Sequence, residues 1–348
     1  MRQATDEDLG RARALLLSSA AMRHLLNHTH EPGRHCASTS VADLLRYHGI
    51  PWGEALCFGI GGGLGIWYAH LPGMSPSRVL HARSMDFERR FFERIGMEFA
   101  WQRDGDPAAA EFNLKTALAA GRPALLLTDI YHLPYYRSQT HFPAHCITAW
   151  GYDDDQRVFY VSDTEREGVL PVPFDDMRKA RVSTQLVTHS GDFYAPATLR
   201  TPRRMDEVII EAIIDNARQL VSSDLPYSGI DALETLKSDL ADWANVDDWQ
   251  WTARFMYQII EKRGTGGGGF RLMYADFLTQ ATQWVPRIAE LKLAELMLQS
   301  GRAWQELAGT LKVLSEQETA DTSQVESALT DVINSERRYV ANAVQLMS

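Results

Sequence analysis

Short apolar runs set the rhythm of the first part of the chain. Pro123–Ile130 (PALLLTDI), His145–Tyr152 (HCITAWGY) and Arg157–Asp163 (RVFYVSD) are rich in β-branched and aromatic residues and read as strands, with helix signals between them. Past residue 205 the apolar spacing turns helical. Met205–Val221, Gly229–Ala244, Asp247–Gly264 and Phe270–Val285 each carry one apolar face, and two more helices follow to the C-terminus. The change predicts an α+β fold class divided into an α+β domain, residues 1–204, and an all-α helical domain, residues 205–348. Tyr194–Arg204 links them, with two prolines that discourage regular structure. The first 26 residues read as an amphipathic helix, because Asp6, Glu7 and Asp8 stand where a signal peptide would be basic.

The length of 348 residues exceeds one ordinary core and agrees with two domains. A formal net charge of −10 argues against a general nucleic-acid binder. No apolar run approaches the length of a membrane span, so neither nucleic acid nor membrane is an expected partner. The three cysteines, Cys36, Cys57 and Cys146, are too sparse for a disulfide scaffold, and a reducing cytoplasm is the expected home.

Cys36 changes the picture. Pro32 and Gly33 end whatever precedes it; Ser38, Ser40, Val41, Leu44 and Leu45 then fit a helix to Tyr47, with Gly49 as the stop signal. At the first turn, backbone N–H groups and the helix dipole stabilise a thiolate and can hold an oxyanion. Buried, inert cysteine is equally familiar, so position alone leaves both readings open. A nucleophile needs a histidine, and the histidine a partner that orients it. If the hairpin formed by the last two strands turns at Asp154, His145 stands directly opposite Asp163, with β-carbons about 4.5–5.5 Å apart. A one-residue slip would put them on opposite faces. The order Cys, His, Asp is that of papain-like enzymes. The ordinary alternatives are a hydrogen-bonded strand histidine and an aspartate that caps the turn at DTEREG. His141 and His145 are four apart, but Pro143 spoils a helical metal pair, so no metal is expected. Cys146 faces away from His145 and reads as core.

The N-terminal half resembles the BtrH-like acyltransferase family of butirosin biosynthesis. The resemblance is carried by His35–Gly65 (HCASTSVADLLRYHGIPWGEALCFGIGGGLG), Asp129–Tyr136 (DIYHLPYY) and His141–Glu165 (HFPAHCITAWGYDDDQRVFYVSDTE). The C-terminal half resembles the helical domain of unknown function often fused to it, marked by Arg263–Leu278 (RGTGGGGFRLMYADFL). The resemblance implies a papain-like fold that moves an acyl group from an acyl carrier protein thioester to an amine. Natural-product biosynthesis is its setting, Cys36 the nucleophile, His145 the base and Asp163 the orienting residue. The phosphopantetheinyl thioester is a substrate, and no cofactor is implied. Coenzyme A as donor, and a homodimer, stay open.

Other features are weaker. Gly61, Gly62 and Gly63 lack the lysine of a phosphate loop and form either a turn lining the acyl channel or a structural turn. Arg263, Gly266 and Arg271 belong to a glycine-rich loop that binds an anion or simply reaches toward the site. Arg178, Lys179, Arg181, Arg200, Arg203 and Arg204 form a local charge reversal, with Arg200, Arg203 and Arg204 as candidate carrier contacts. Two rival functions remain: a cysteine hydrolase, and a non-catalytic binder of a carrier protein or small molecule.

Overall fold

Residues 23–183, 189–221 and 227–347 are described in the computed structural model. The helix expected at the N-terminus falls mostly outside them; its last residues form a short strand, β1 (Arg23–Leu25). Helix α1 (Cys36–Tyr47) has the predicted bounds. It starts where His35 is extended and its ring accepts from the Ser38 N–H. It stops where Gly49 takes a φ of 80°, which returns the Gly49 and Ile50 N–H groups to the carbonyls of Arg46 and Leu45. Helix α2 (Glu54–Ile60), strands β2 (Leu64–His70) and β3 (Arg78–Arg83) and helix α3 (Phe87–Arg94) follow. Asp106 caps α4 (Pro107–Ala119), whose proline sits at the first helical position. The predicted strands are β4 (Ala124–Thr128), β5 (His145–Asp153) and β6 (Val158–Ser162). β7 (Leu170–Pro173), α5 (Phe174–Ala180) and β8 (Phe193–Tyr194) come next. The C-terminal helices are α6 (Met205–Val221), α7 (Gly229–Asp239), α8 (Trp249–Glu261), α9 (Arg271–Ala281), the single turn α10 (Arg287–Glu290), α11 (Leu293–Leu314) and α12 (Ser323–Ala343). The architecture is therefore mixed α and β, with a helical C-terminal region.

The compact units do not follow a single cut at residue 204. Among the described residues, one unit joins those up to Glu31 with Trp101–Ala197, and the other joins Pro32–Ala100 with those from Thr198 onward. The reason lies in the β2–β3 hairpin, since two strands alone are marginal in water. Its polar groups find partners on the C-terminal helices. Asp239 accepts from Tyr68 Oη and Arg78, and Asp248 accepts from the Ser77 N–H (2.8 Å) and Ser75 Oγ (2.9 Å). Helix α2 packs on α9 so closely that a β-carbon on Gly59 would lie 2.0 Å from the Phe277 ring.

In the first unit the sheet order is β8–β4–β5–β6–β7, antiparallel throughout, with β1 pairing beyond β4 at the far end of β5. All of β5 is buried, and Leu126, Ile147, Phe159, Val161 and Phe174 share one core. Such a central strand holds a side chain at its end rigidly. No helix among the described residues is long and apolar enough to cross a membrane.

Candidate active site

His145 opens β5 and Asp163 follows the last residue of β6. The hairpin does not turn at Asp154. Asp153 pairs with Val158, because Asp153 Oδ1 accepts the Gln156 N–H (2.9 Å) and Arg157 takes a φ of 56°. Continued unbroken, that register would set His145 opposite Arg166, three positions from Asp163 and hence facing the other way. A bulge between Ala149 and Gly151 removes one step, so that Thr148 pairs with Ser162. The position opposite His145 becomes 165. Asp163, two positions short of it, is then a diagonal neighbour on the same face rather than directly opposite.

The pair is buried, His145 being 6% exposed and Asp163 1%. His145 Nε2 lies 2.8 Å from Asp163 Oδ1 and 3.0 Å from Oδ2. A carboxylate only accepts, so Nε2 carries the proton and Nδ1 is left as the basic nitrogen. Tyr135 Oη donates to Oδ2 (2.7 Å), Thr164 Oγ1 to Oδ1 (2.8 Å) and Tyr136 Oη to Oδ1 (3.3 Å). Burial pushes the Asp163 carboxyl up, but the His145 charge and these hydrogen bonds outweigh it and hold the group below the usual carboxylate range. Burial and the Asp163 charge push the Tyr135 phenol well up, so it stays a donor. Ala144 (φ 60°) and Thr164 (φ 32°) flank the pair with left-handed backbone, at a cost of order 1–2 kcal/mol each.

Cys36 belongs to the other unit, where it is the first residue of α1 and 8% exposed. The segment before it is tied down by a carboxylate that sequence reasoning missed. Glu54 Oε1 accepts from the backbone N–H of Arg34 (2.9 Å) and His35 (2.7 Å), from Thr39 Oγ1 (3.0 Å) and from Ser38 Oγ (3.3 Å). The His35 ring meets Phe58, Phe87 and Phe270 edge-on, with centroids 5.3, 5.2 and 5.4 Å away. The glycine-rich loop lies against the same segment. A β-carbon would come within 2.9 Å of the Arg34 carbonyl oxygen at Gly264 and within 2.6 Å of the Arg34 side chain at Gly266. Cys57 and Cys146 are fully buried, and burial drives the Cys57 thiol far up.

The remaining candidates separate. Gly61–Gly63 form a buried turn; a β-carbon on Gly61 would strike Phe87 and one on Gly63 would strike Phe58, which accounts for both without a ligand. Arg263 is exposed and lies over Phe255 with its guanidinium on Gln258. Arg271 is fully buried. It pairs with Glu336 (2.7 Å), donates to the carbonyls of Ala82 and Gly269, and stacks on Trp304, so its reach is spent within the core. The basic cluster is largely neutralised. Arg178 pairs with Glu111 and Asp175, Arg181 is buried, and Arg204 pairs with Asp206 and Glu207, while Arg200 and Arg203 are exposed. The run of bases missed the acids at its own borders. His141 is held by Asp129 rather than beside His145.

Glu54, Tyr135 and Tyr136 carry no sequence signal of their own as site residues. The tyrosines lie within the DIYHLPYY stretch, but their partner Asp163 is far along the chain. Residues 35–164 match the family model described as butirosin biosynthesis protein H, N-terminal, and residues 175–343 match that of a domain of unknown function (DUF4872). The first match begins at the cap of α1 and ends just past Asp163, so it contains Cys36, His145 and Asp163. No curated protein matches the chain.

Proposed function

Because the chain belongs, through its N-terminal domain, to the family of butirosin biosynthesis protein H, we propose that it is a biosynthetic acyltransferase with Cys36 as nucleophile. We read the fold as papain-like, with a cysteine opening a helix and a histidine–aspartate pair on an antiparallel sheet. The observation that carries the reading is the buried His145–Asp163 pair, with its proton on Nε2. Such a pair leaves Nδ1 to take the Cys36 proton. The thiolate adds to the carbonyl carbon of a carrier-bound thioester, the carbon–sulfur bond to the phosphopantetheine breaks, and that thiolate leaves with the proton from His145. An amine then attacks the acyl-enzyme, and Nδ1 takes its proton. The second carbon–sulfur bond breaks, Cys36 regains the proton, and an amide departs. Exchange between sulfurs is near thermoneutral, and amide formation drives the sequence. The backbone N–H of Cys36 is the proposed oxyanion donor.

Amine must outcompete water at the acyl-enzyme, which calls for a positioned acceptor. The Gly264–Phe270 segment against Arg34 and His35 supports a role for the C-terminal domain in shaping the nucleophile's surroundings. Arg200 and Arg203 are the remaining candidates for carrier docking. The test is intact-mass spectrometry with a panel of acyl thioesters on the native chain and Cys36→Ala. A mass gain on the native chain alone, discharged by an amine to an amide, is the expected result. Discharge to free acid alone would replace transfer with hydrolysis. No adduct, together with ordinary thiol reactivity of Cys36, would favour a binding protein.

A further inference from the structure

The segment between β4 and β5 brings together Asp129, His132 and His141, whose ligand atoms all lie within 4.8 Å of one another. We propose that these three residues bind a divalent transition-metal ion of the zinc class. Two imidazoles and one carboxylate form a donor set suited to such ions, and not to magnesium or calcium, which favour oxygen. Around one ion at bond lengths of about 2.0–2.2 Å, tetrahedral ligand atoms stand about 3.4 Å apart. To take an ion the 2.7 Å Asp129–His141 contact opens and the wider separations, within 4.8 Å, close, each by a side-chain shift of roughly 1 Å.

The residues around the set are arranged as metal ligands require. The Asp129 side chain is buried, and its Oδ1 accepts the N–H groups of Tyr131 (3.1 Å) and Phe142 (3.0 Å). These bonds aim Oδ2 at His141 Nδ1, 2.7 Å away. The Asp129 N–H is itself fixed to the Ala180 carbonyl at the end of α5 (2.8 Å). His141 stacks on Tyr131 at 4.1 Å and 20°, which fixes its plane, and His132 meets it edge-on at 5.9 Å. His141 remains 37% exposed, so solvent or an added ligand can reach the open side. Orienting partners of this kind are what hold ligating groups in place.

The location suggests what the ion does. The same segment carries Tyr135 and Tyr136 to Asp163 and His145. An ion joining residues 129, 132 and 141 would tie both ends of that segment together and steady the two tyrosines. The ion is structural in this proposal and enters no acyl-transfer step.

The test uses the untagged full chain, stripped with chelator. Zinc is titrated in competition with a chromophoric chelator, and cobalt is added separately for its visible absorption. One zinc per chain, and an intense cobalt band of low coordination number, are expected. His132→Ala and His141→Ala alter exposed or half-exposed side chains, and each should weaken zinc about 10–100-fold, with Asp129→Asn as a third variant. His28→Ala, an exposed histidine away from the set, should leave affinity unchanged. Absence of stoichiometric zinc in the wild-type chain would overturn the proposal. So would an affinity that His132→Ala and His141→Ala leave intact.

Discussion

Asp163→Asn keeps the shape of the side chain and removes its charge. In the native pair the carboxylate meets donors only: His145 Nε2, Tyr135 Oη, Tyr136 Oη and Thr164 Oγ1. An amide offers one oxygen and one NH₂, so at least one donor must face another. If the NH₂ faces His145, it donates to Nε2 and moves the imidazole proton to Nδ1, the nitrogen that has to accept. Loss of a charge-assisted hydrogen bond is about 1.5–3 kcal/mol, or roughly 10–150-fold in rate at about 1.4 kcal/mol per decade. The reversed tautomer adds to that, and comparable aspartate replacements in a serine triad cost about 10⁴-fold. A fall in kcat of roughly 10²–10⁴ is expected. The assay is amide formation at saturating donor, beside the pH dependence of Cys36 alkylation. Because the folded Asp163 carboxyl is held low, its stabilisation is complete above the unfolded value of about 3.9 and is lost as pH falls through the lower folded value. The variant should lack that acid limb in urea unfolding. A folded variant with wild-type kcat would refute the proposed role of the pair.

Two further changes probe the framework. Glu54→Ala removes the acceptor of the Arg34 and His35 N–H groups, and each donor left without a partner costs about 1–3 kcal/mol if water does not replace it. The denaturation midpoint should fall and Cys36 alkylation should slow; unchanged alkylation would separate Glu54 from the nucleophile. Arg271→Ala leaves Glu336 buried without its cation, and a loss of about 3–5 kcal/mol is expected from urea melts. A wild-type melt with altered substrate affinity would instead return Arg271 to the substrate site.

The bounds of α1 and of three strands, two of which carry the candidate pair at their ends, were readable locally. They rest on a cap, a stop glycine and apolar runs, all of which act over a few residues. Cys36, His145 and Asp163 stood out as chemical types in a known order. Their geometry was another matter. The hairpin turned one and a half positions later than expected, and only the bulge between Ala149 and Gly151 returned His145 and Asp163 to one face. A bulge depends on how the flanking strands must lie in the whole sheet, which a local pattern does not encode. Glu54, the tyrosines on Asp163 and the burial of Arg271 likewise appear only once distant segments meet. So does the interleaving of the chain, in which Pro32–Ala100, the β2–β3 hairpin included, joins the C-terminal helices instead of the rest of the N-terminal half. Periodicity reports which face of an element is apolar; the partner that covers the face is selected by packing and by the need to satisfy each buried polar group.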